Sequence, residues 1–562
     1  MRWTFKPIPN NQITTNLSKE LNIDIELATL LIQRGIETYQ QAKDFFRPNL
    51  NNLHNPYLMK DMEKAVSRIE KALNANEKIM VYGDYDVDGT TSVALVYSYL
   101  LQFSKLVTTY IPDRYGEGYG ISYQGIDYAA DNEISLIIAL DCGIKEAAKV
   151  KYATEKNIDF IICDHHLPGA EIPKAVAVLN PKQLNCDYPF KELCGCGVGF
   201  KLIQALAQKN HQKIEDLVPF LDLVATAIAA DIVPMDGENR ILAYFGLKQI
   251  NSNPRAGIKA LIHQLKKEIT ITDVVFQIAP RINAAGRMKH GNHAVELLIE
   301  EDFETAIHFA KEIEIYNTNR RATEKEITEQ ALKQIIENKE ETNCATVVFN
   351  KNWHKGVIGI VASRLIETYH KPTVVFTESN GYYVASARSV NGFDLYNSLE
   401  KCSAYMEQFG GHTHAAGITI LPKNYTLFKE KFEKIVQEFI IETSKTPEII
   451  VDLTIDLASV TPKFYRILKQ LEPFGPGNMK PVFMSAGLRD NGYGKAVGAD
   501  GNHVKLSIVN GADSKTYNAI GFNLAEKYAH INGAFEAVYT IEENIWNGNT
   551  SLQLMLKDLK EE

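Results

Sequence analysis

The segment Gly83-Asp84-Tyr85-Asp86-Val87-Asp88-Gly89 sets three carboxylates within five residues, directly after the apolar run Ile79-Met80-Val81-Tyr82. A second apolar run, Ser135–Leu140, ends in Asp141, and a third, Ile158–Cys163, ends in Asp164-His165-His166. As strands of one parallel sheet, these runs would place their acids along its carboxyl edge, where open α/β sheets bind ligands. Carboxylates gathered in one pocket repel one another strongly. Bound divalent cations relieve that repulsion, and the pattern therefore points to a metal site, in fact a two-metal site. A further acid, Asp231, follows the apolar stretch Ala225–Ala230 and precedes the helix-stopping Pro234. An unpaired charge there is costly, which favours a ligand over a cap. The working set is Asp86, Asp88, Asp141, His165 and Asp231, with Asp84 and His166 close by. Hard oxygen donors with some imidazole suit manganese or magnesium, and the absence of thiolates from the set disfavours zinc. A calcium loop is excluded, because Gly83–Gly89 lacks the distal Glu and lies between strand and helix.

Other residues could handle phosphate. In Phe409-Gly410-Gly411-His412 the glycines let backbone approach an anion and the imidazole can donate to it. Ser386-Ala-Arg388-Ser389 closes a strand-like run and carries a guanidinium fork. Pro280-Arg281-Ile-Asn283-Ala-Ala-Gly286-Arg287 reads as a loop bearing Arg and Asn, and Arg114 follows Pro112-Asp113. Trp353-His354-Lys355-Gly356 precedes a helix start, with His354 equally readable as a DNA contact or a packed loop residue. Gly195-Cys-Gly197-Val-Gly199 lacks the context of a dinucleotide loop and reads as a tight turn opening a helix. Cys186, Cys194 and Cys196 cluster without a fourth zinc ligand, and the seven cysteines give no disulfide framework.

The elements that must position these groups alternate strand and helix from about 60 to 230, the signature of a parallel, doubly wound sheet. Residues up to about 55 have helical spacing, with packing as their expected role. From about 300 to 341 the chain is charged and free of Pro and Gly, predicting a long amphipathic connecting helix. Residues 344–440 alternate again in a smaller α/β domain, and after about 445 short β-rich runs between Gly, Asn and Pro predict a small barrel. At 562 residues the chain needs three or four domains. Its 45% hydrophobic and 23% charged composition is that of a soluble globular protein. A net charge of -9 argues only weakly against a nucleic-acid partner, since the local sign in the cleft decides. The amino terminus is not a signal peptide and no run is long enough to span a membrane, so the expectation is a cytoplasmic protein with no membrane partner.

Taken together, Asp84–Gly89, Pro112-Asp-Arg114 with Gly116–Gly120, Asp141-Cys-Gly143 and Asp164-His-His166 resemble the four ordered motifs of the DHH phosphoesterase superfamily. Phe409–His412 resembles the signature of its associated phosphate-binding domain. Leu471-Glu-Pro-Phe-Gly-Pro-Gly-Asn478, with Pro280–Arg287, resembles the superfamily's single-strand-specific 5′→3′ DNA exonucleases, whose tail is an OB-fold. The resemblance implies a helical segment at 1–58, a DHH domain at 59–295, a connecting helix at 296–342, a DHH-associated domain at 343–442 and an OB-fold at 446–562. It implies that Asp86, Asp88, Asp141, His165 and Asp231 ligate two metals, with Asp84 and Asp164 orienting or partly ligating, and that His166 faces the scissile phosphate. Ser386, Arg388 and His412, beside Gly410 and Gly411, would grip substrate phosphate, with Arg114, Arg281, Asn283 and Arg287 as channel contacts. It further implies single-stranded DNA as substrate, a DNA helicase and a single-strand DNA-binding protein as partners, and a monomer. Smaller superfamily members cleave very short RNA, cyclic dinucleotides or pyrophosphate, but they do not need a domain after 445. Within the barrel, Phe474 and Tyr493 are base-stacking candidates, with at least one expected in the core.

Overall fold

The computed structural model describes every residue except 442–445, 511–514 and 547, and the side chain of Trp546. The chain forms two compact units, one built from 54–233 and 245–447, the other from 1–53, 234–244 and 448–562.

The larger unit contains a five-stranded sheet in the order Val107–Tyr110, Lys78–Gly83, Ile134–Leu140, Asp159–Cys163, Ala177–Leu179. Every neighbouring pair is parallel. The three acid-terminated runs are thus its three central strands, and their carboxyl ends lie in register. Leu136–Leu140 and Ile161–Cys163 are fully buried, so these strands read as continuous apolar runs covered by helices on both faces. The helix Val87–Leu100 is buried along most of its length, and it contacts Gly195–Lys209 and Leu221–Asp231. These three helices carry or receive the acids.

The 35-residue helix Phe303–Glu337 leads to a second five-stranded sheet, ordered Gln408–His412, Ala415–Ile420, Tyr382–Arg388, Thr373–Ser379, Thr346–Phe349. Only the last pair is parallel; the other three are antiparallel. Its core is Phe376, Phe428, Phe432 and the aliphatics around them.

The smaller unit holds a barrel. Phe483–Asp490, Phe535–Trp546, Asn549–Glu561, Tyr517–Gly521 and His503–Asn510 pair in that order, and Leu488–Asp490 pairs back onto Ile508–Asn510 to close the ring. Phe474 packs partly buried against this core, whereas Tyr493 is 76% exposed. Among the described residues no helix is long and apolar enough to cross a membrane.

Two local readings are corrected. The first residues are not helical: Arg2–Phe5 is a strand, paired in parallel with Glu448–Val451. Its partner lies 446 residues away, so no local periodicity announces it. Pro280–Arg287 is not a loop but most of the helix Ala279–Met288, which continues directly from the π-helical turn Val274–Ile278; the wider turn before Pro280 lets the helix run on through a residue that has no N–H to donate. The three glycines from Gly195 open a helix as read, within its own first turns and capped by Cys194.

Arg240 is the tie within the smaller unit. It is 4% exposed and stacks 3.6 Å over the Phe45 ring. It donates to the carbonyls of Phe45, Leu471, Pro473 and Glu472. Burial lowers its pKa to about 9. Replacing it by Met fills the volume but leaves several buried carbonyls without donors. We expect Arg240→Met to lower the stability of this unit by about 3 kcal/mol, measured by urea unfolding followed by circular dichroism. Unchanged stability would show that the carbonyls find other donors.

Candidate active site

Asp84, Asp141 and Asp164 begin the loops that leave the three central strands. Asp86 caps the helix Val87–Leu100, accepting from Gly89 N–H at 3.0 Å. Asp88 lies in the first turn of that helix, and its two oxygens accept from Gly195 N–H at 2.6 Å and Cys196 N–H at 2.7 Å. The amino end of a second helix thereby holds this carboxylate in place. Asp141 takes a left-handed backbone, φ 59°, and its N–H bonds Cys163 O at 2.8 Å. Asp231 ends the helix Leu221–Asp231, and Ile232 turns the chain with φ 58°.

His165 marks the convergence. Its Nε2 lies 3.2 Å from Asp141 Oδ1, 3.6 Å from Asp231 Oδ2 and 3.8 Å from Asp88 Oδ2. Asp88, His165 and Asp231 form one group of ligand atoms within 4.8 Å of each other, and Asp141, His165 and His166 form another. Burial first, and then neighbouring carboxylates, push Asp84, Asp88, Asp141 and Asp231 above the usual carboxylate range. Burial, aided by the charge of His166, lowers His165 to about 3, which keeps it a neutral donor. Asp84 Oδ2 and Asp141 Oδ1 are buried oxygens without a hydrogen-bond donor among the described residues. The thiols of Cys142, Cys194 and Cys196 are pushed well up by burial, and so stay neutral. Unsatisfied carboxylate oxygens, mutual repulsion and a neutral imidazole fit hard divalent cations; neutral thiols do not compete for them.

Asp164 behaves differently. Its Oδ1 accepts from the N–H groups of His165 and His166 at 2.7 and 3.1 Å and lies 2.7 Å from His166 Nδ1, while Oδ2 accepts from Ile144 N–H at 2.9 Å. Against the upward pull of burial, His166 and these donors bring it to about 2. With its oxygens occupied, Asp164 orients His166 and is not free to ligate. Against the downward pull of burial, Asp164 raises the pKa of His166.

Among the phosphate candidates, Arg114 lies 3.8 Å over the Tyr85 ring and donates to Gly286 O at 2.9 Å. Arg287 donates to Gly356 O at 2.9 Å, and the Tyr115 hydroxyl donates to Arg287 O. Burial first, then the charges of Arg114, Arg388 and Arg320, lower Arg287 to about 10, while Asp86 acts in the opposite sense. Arg388 donates to Ser386 Oγ at 3.0 Å. Both press on Gly359 at the start of the helix Ile358–Tyr369, where a Cβ would lie 2.8 Å from Ser386 Oγ and 3.0 Å from Arg388 Nη2. The missing side chain leaves a cradle of hydroxyl, guanidinium and helix amino end. His412 has an exposed side chain, and partial burial with the charges of His414, Arg388 and His166 lowers its pKa. Gly410 and Gly411 lie in the strand beside it, opposite Gly417 and Ala416. Arg281 is engaged elsewhere, with Glu314 at 2.5 Å and Gln277 O at 2.6 Å, and Asn283 keeps a buried Oδ1 without a partner among the described residues.

Sequence reading assigned no role to Tyr119. Its hydroxyl lies 3.2 Å from Asp141 O and 3.4 Å from His166 Nε2, and its ring stands edge-on to both Tyr85 and His166. The signal available was a single aromatic inside Gly116–Gly120.

Comparison with known proteins agrees with this geometry. Residues 78–228 match the DHH family N-terminal domain, 341–438 the DHHA1 domain and 451–558 the RecJ OB domain. The site and its fold are thus those of the DHH class. The chain is 36% identical to the single-stranded-DNA-specific exonuclease RecJ of Bacillus subtilis, over 99% of this chain and 70% of that protein. It is 30% identical to RecJ of Escherichia coli over 95% of both. The crystal structure of Thermus thermophilus RecJ in complex with Mn2+ superposes with a TM-score of 0.85 at 25% identity, covering 100% of this chain and 80% of that one. An exonuclease RecJ bound to manganese gives 0.61 at 29% identity, over 71% of this chain and 99% of that one. The chain belongs to the RecJ family.

Gly195 tests the packing of the acid cluster. A Cβ there would lie 2.6 Å from both Cβ and Oδ1 of Asp141. We expect Gly195→Ala to displace Asp141 and weaken manganese binding at least tenfold in calorimetric titration, while the protein stays folded. Unaltered affinity would mean that Asp141 does not need this position.

Proposed function

We propose that the protein is a metal-dependent exonuclease that hydrolyses single-stranded DNA from its 5′ end and releases 5′-mononucleotides, in DNA repair and recombination. The observation that carries the reading is the convergence of Asp88, Asp141 and Asp231 on His165 Nε2, facing an arginine-rich phosphate side within one unit. Asp86, Asp88, Asp141, His165 and Asp231 hold two divalent cations, manganese or magnesium, with Asp84 beside them. Such cations supply an activated water and neutralise charge on the phosphoryl group.

The chain's own residues do the rest. Asp164 fixes the tautomer and direction of His166, whose raised pKa keeps a proton available for a phosphoryl oxygen. Ser386, Arg388 and His412, beside Gly410 and Gly411, grip a substrate phosphate. Arg114 and Arg287 add charge next to Asp86, and Arg287 is the better placed because it joins both sheets' elements through Gly356. Tyr119 supports His166. Arg281 is held by Glu314 and the carbonyl of Gln277, and Asn283, with its unpartnered Oδ1, stays a channel contact beside Arg287. The barrel holds the strand, with Tyr493 the exposed aromatic. We retain the five-part division at 58, 295, 342 and 446 as a proposal. The same reading carries a monomer in the cytoplasm, working with a DNA helicase and a single-strand DNA-binding protein.

The test uses a long single strand labelled at either end, with manganese, with a chelator, and as a blunt duplex. We expect label to leave the 5′ end as mononucleotide, only with metal and only from the single strand. Asp141→Asn should lower the rate at least a thousandfold with the fold intact. Cleavage confined to very short RNA or cyclic dinucleotides would overturn the exonuclease reading, and full activity in Asp141→Asn would overturn the metal assignment.

A further inference from the structure

A groove of about 630 Å³ lies away from the acids, between the helices Phe303–Glu337, Ala279–Met288 and Ile358–Tyr369. Arg320, Arg321, Lys325 and Arg364 line it, with Glu324 and Glu329 as its acids, and Phe276 stands at its side. Three features separate it from an ordinary solvated helix face. Glu324 is clamped between Arg320 and Arg364, at 2.8 Å on each side, which cancels its charge locally. The Arg321 side chain is exposed, and Lys325 is 79% exposed with only a 3.9 Å approach to Glu329. Arg320 is 9% exposed and its buried Nε has no partner among the described residues. Arg364 is also bound by Glu367 at 3.0 Å, so Arg320 and Arg364 are neutralised by Glu324 and Glu367, and the charge the groove offers is that of Arg321 and Lys325.

Phe276 is 68% exposed and sits in a single π-helical turn, Val274–Ile278. Such turns often mark functional sites. An aromatic face beside arginine and lysine is the combination that holds unpaired nucleic acid, with stacking for a base and charge for the backbone. The groove is also continuous with the phosphate side of the site. Along one helix, Pro280 in the groove is seven residues from Arg287, roughly 10 Å at the helical rise. Along another, Arg364 is five residues from Gly359, roughly 7 Å. The electrostatics follow the same path, since Arg320 lowers the pKa of Arg287 and is itself affected by Arg321 and Arg364.

We propose that this groove is a second binding site for single-stranded DNA, in which Arg321 and Lys325 contact phosphates and Phe276 stacks on an unpaired base. The proposal rests on the exonuclease reading for its ligand but not for its test. The probe is a fluorescent oligothymidylate bound to Asp141→Asn protein, which does not consume it. Adding Phe276→Ala, Arg321→Ala and Lys325→Ala, all at exposed positions, should weaken binding about tenfold and lower the salt slope by about 1 to 2. A duplex of equal length should compete poorly. In the active protein, the same triple change should leave manganese-dependent hydrolysis of a dinucleotide unchanged and raise KM only for long strands. Equal strand affinity and salt slope in parent and triple variant would overturn the proposal. Loss of dinucleotide turnover would also overturn it, by assigning the effect to the active site. If the parent cleaves dinucleotides but not long strands, the exonuclease reading fails, and the binding comparison still decides the groove.

Discussion

Burying several carboxylates at one sheet edge is the constraint around which the larger unit is arranged. Asp84, Asp88, Asp141 and Asp231 are each driven toward protonation by burial and by the others. Hydrophobic packing cannot offset this, because a buried charge without compensation costs several kcal/mol. The fold supplies partial compensation through backbone: two N–H groups of a helix start for Asp88, one cap bond for Asp86. It stops short of completing it, leaving oxygens on Asp84 and Asp141 without donors. Asp164 shows what full compensation looks like at the same edge, with its pKa brought to about 2. The two kinds of aspartate thus differ in whether the protein itself satisfies their oxygens.

The opposite wall has the mirror-image problem. Arg287 is lowered to about 10 by burial and then by the charges of Arg114, Arg388 and Arg320. Acids that need cations and arginines that need an anion meet through Asp86 and Arg287, and through His166 and His412. A phosphodiester accompanied by divalent ions relieves both walls together, and neither component alone does so. Binding of substrate and of metal should therefore be mutually favourable, a coupling set by charge rather than by conformational change.

The acid edge was legible in the sequence because a parallel sheet converts three separate strand ends into one place. Asp231 was legible because an acid at the end of an apolar helix is costly unless used. What remained hidden depended on partners distant in sequence. The strand Arg2–Phe5 exists only through Glu448–Val451. Pro280 suggested a loop, although a π-helical turn just before it lets the helix continue past it. Arg281 carried the same residue type as Arg287, and only the position of Glu314 separates them. The double occupancy of Asp164, and thus its loss as a ligand, depends on Ile144 and on backbone direction, which no motif spells out.

A net charge of -9 sits oddly with a polyanionic substrate until distances are considered. At physiological ionic strength charges are screened beyond about 8 Å, so the surface acids scattered over two units contribute little at the site. The charges that act on Arg287 are those of Arg114, Arg388 and Arg320, opposed by Asp86. A net negative charge is therefore compatible with a site that takes an anionic strand. The overall sign of the protein and the sign of its site are separate quantities, and the site's is the one that governs substrate.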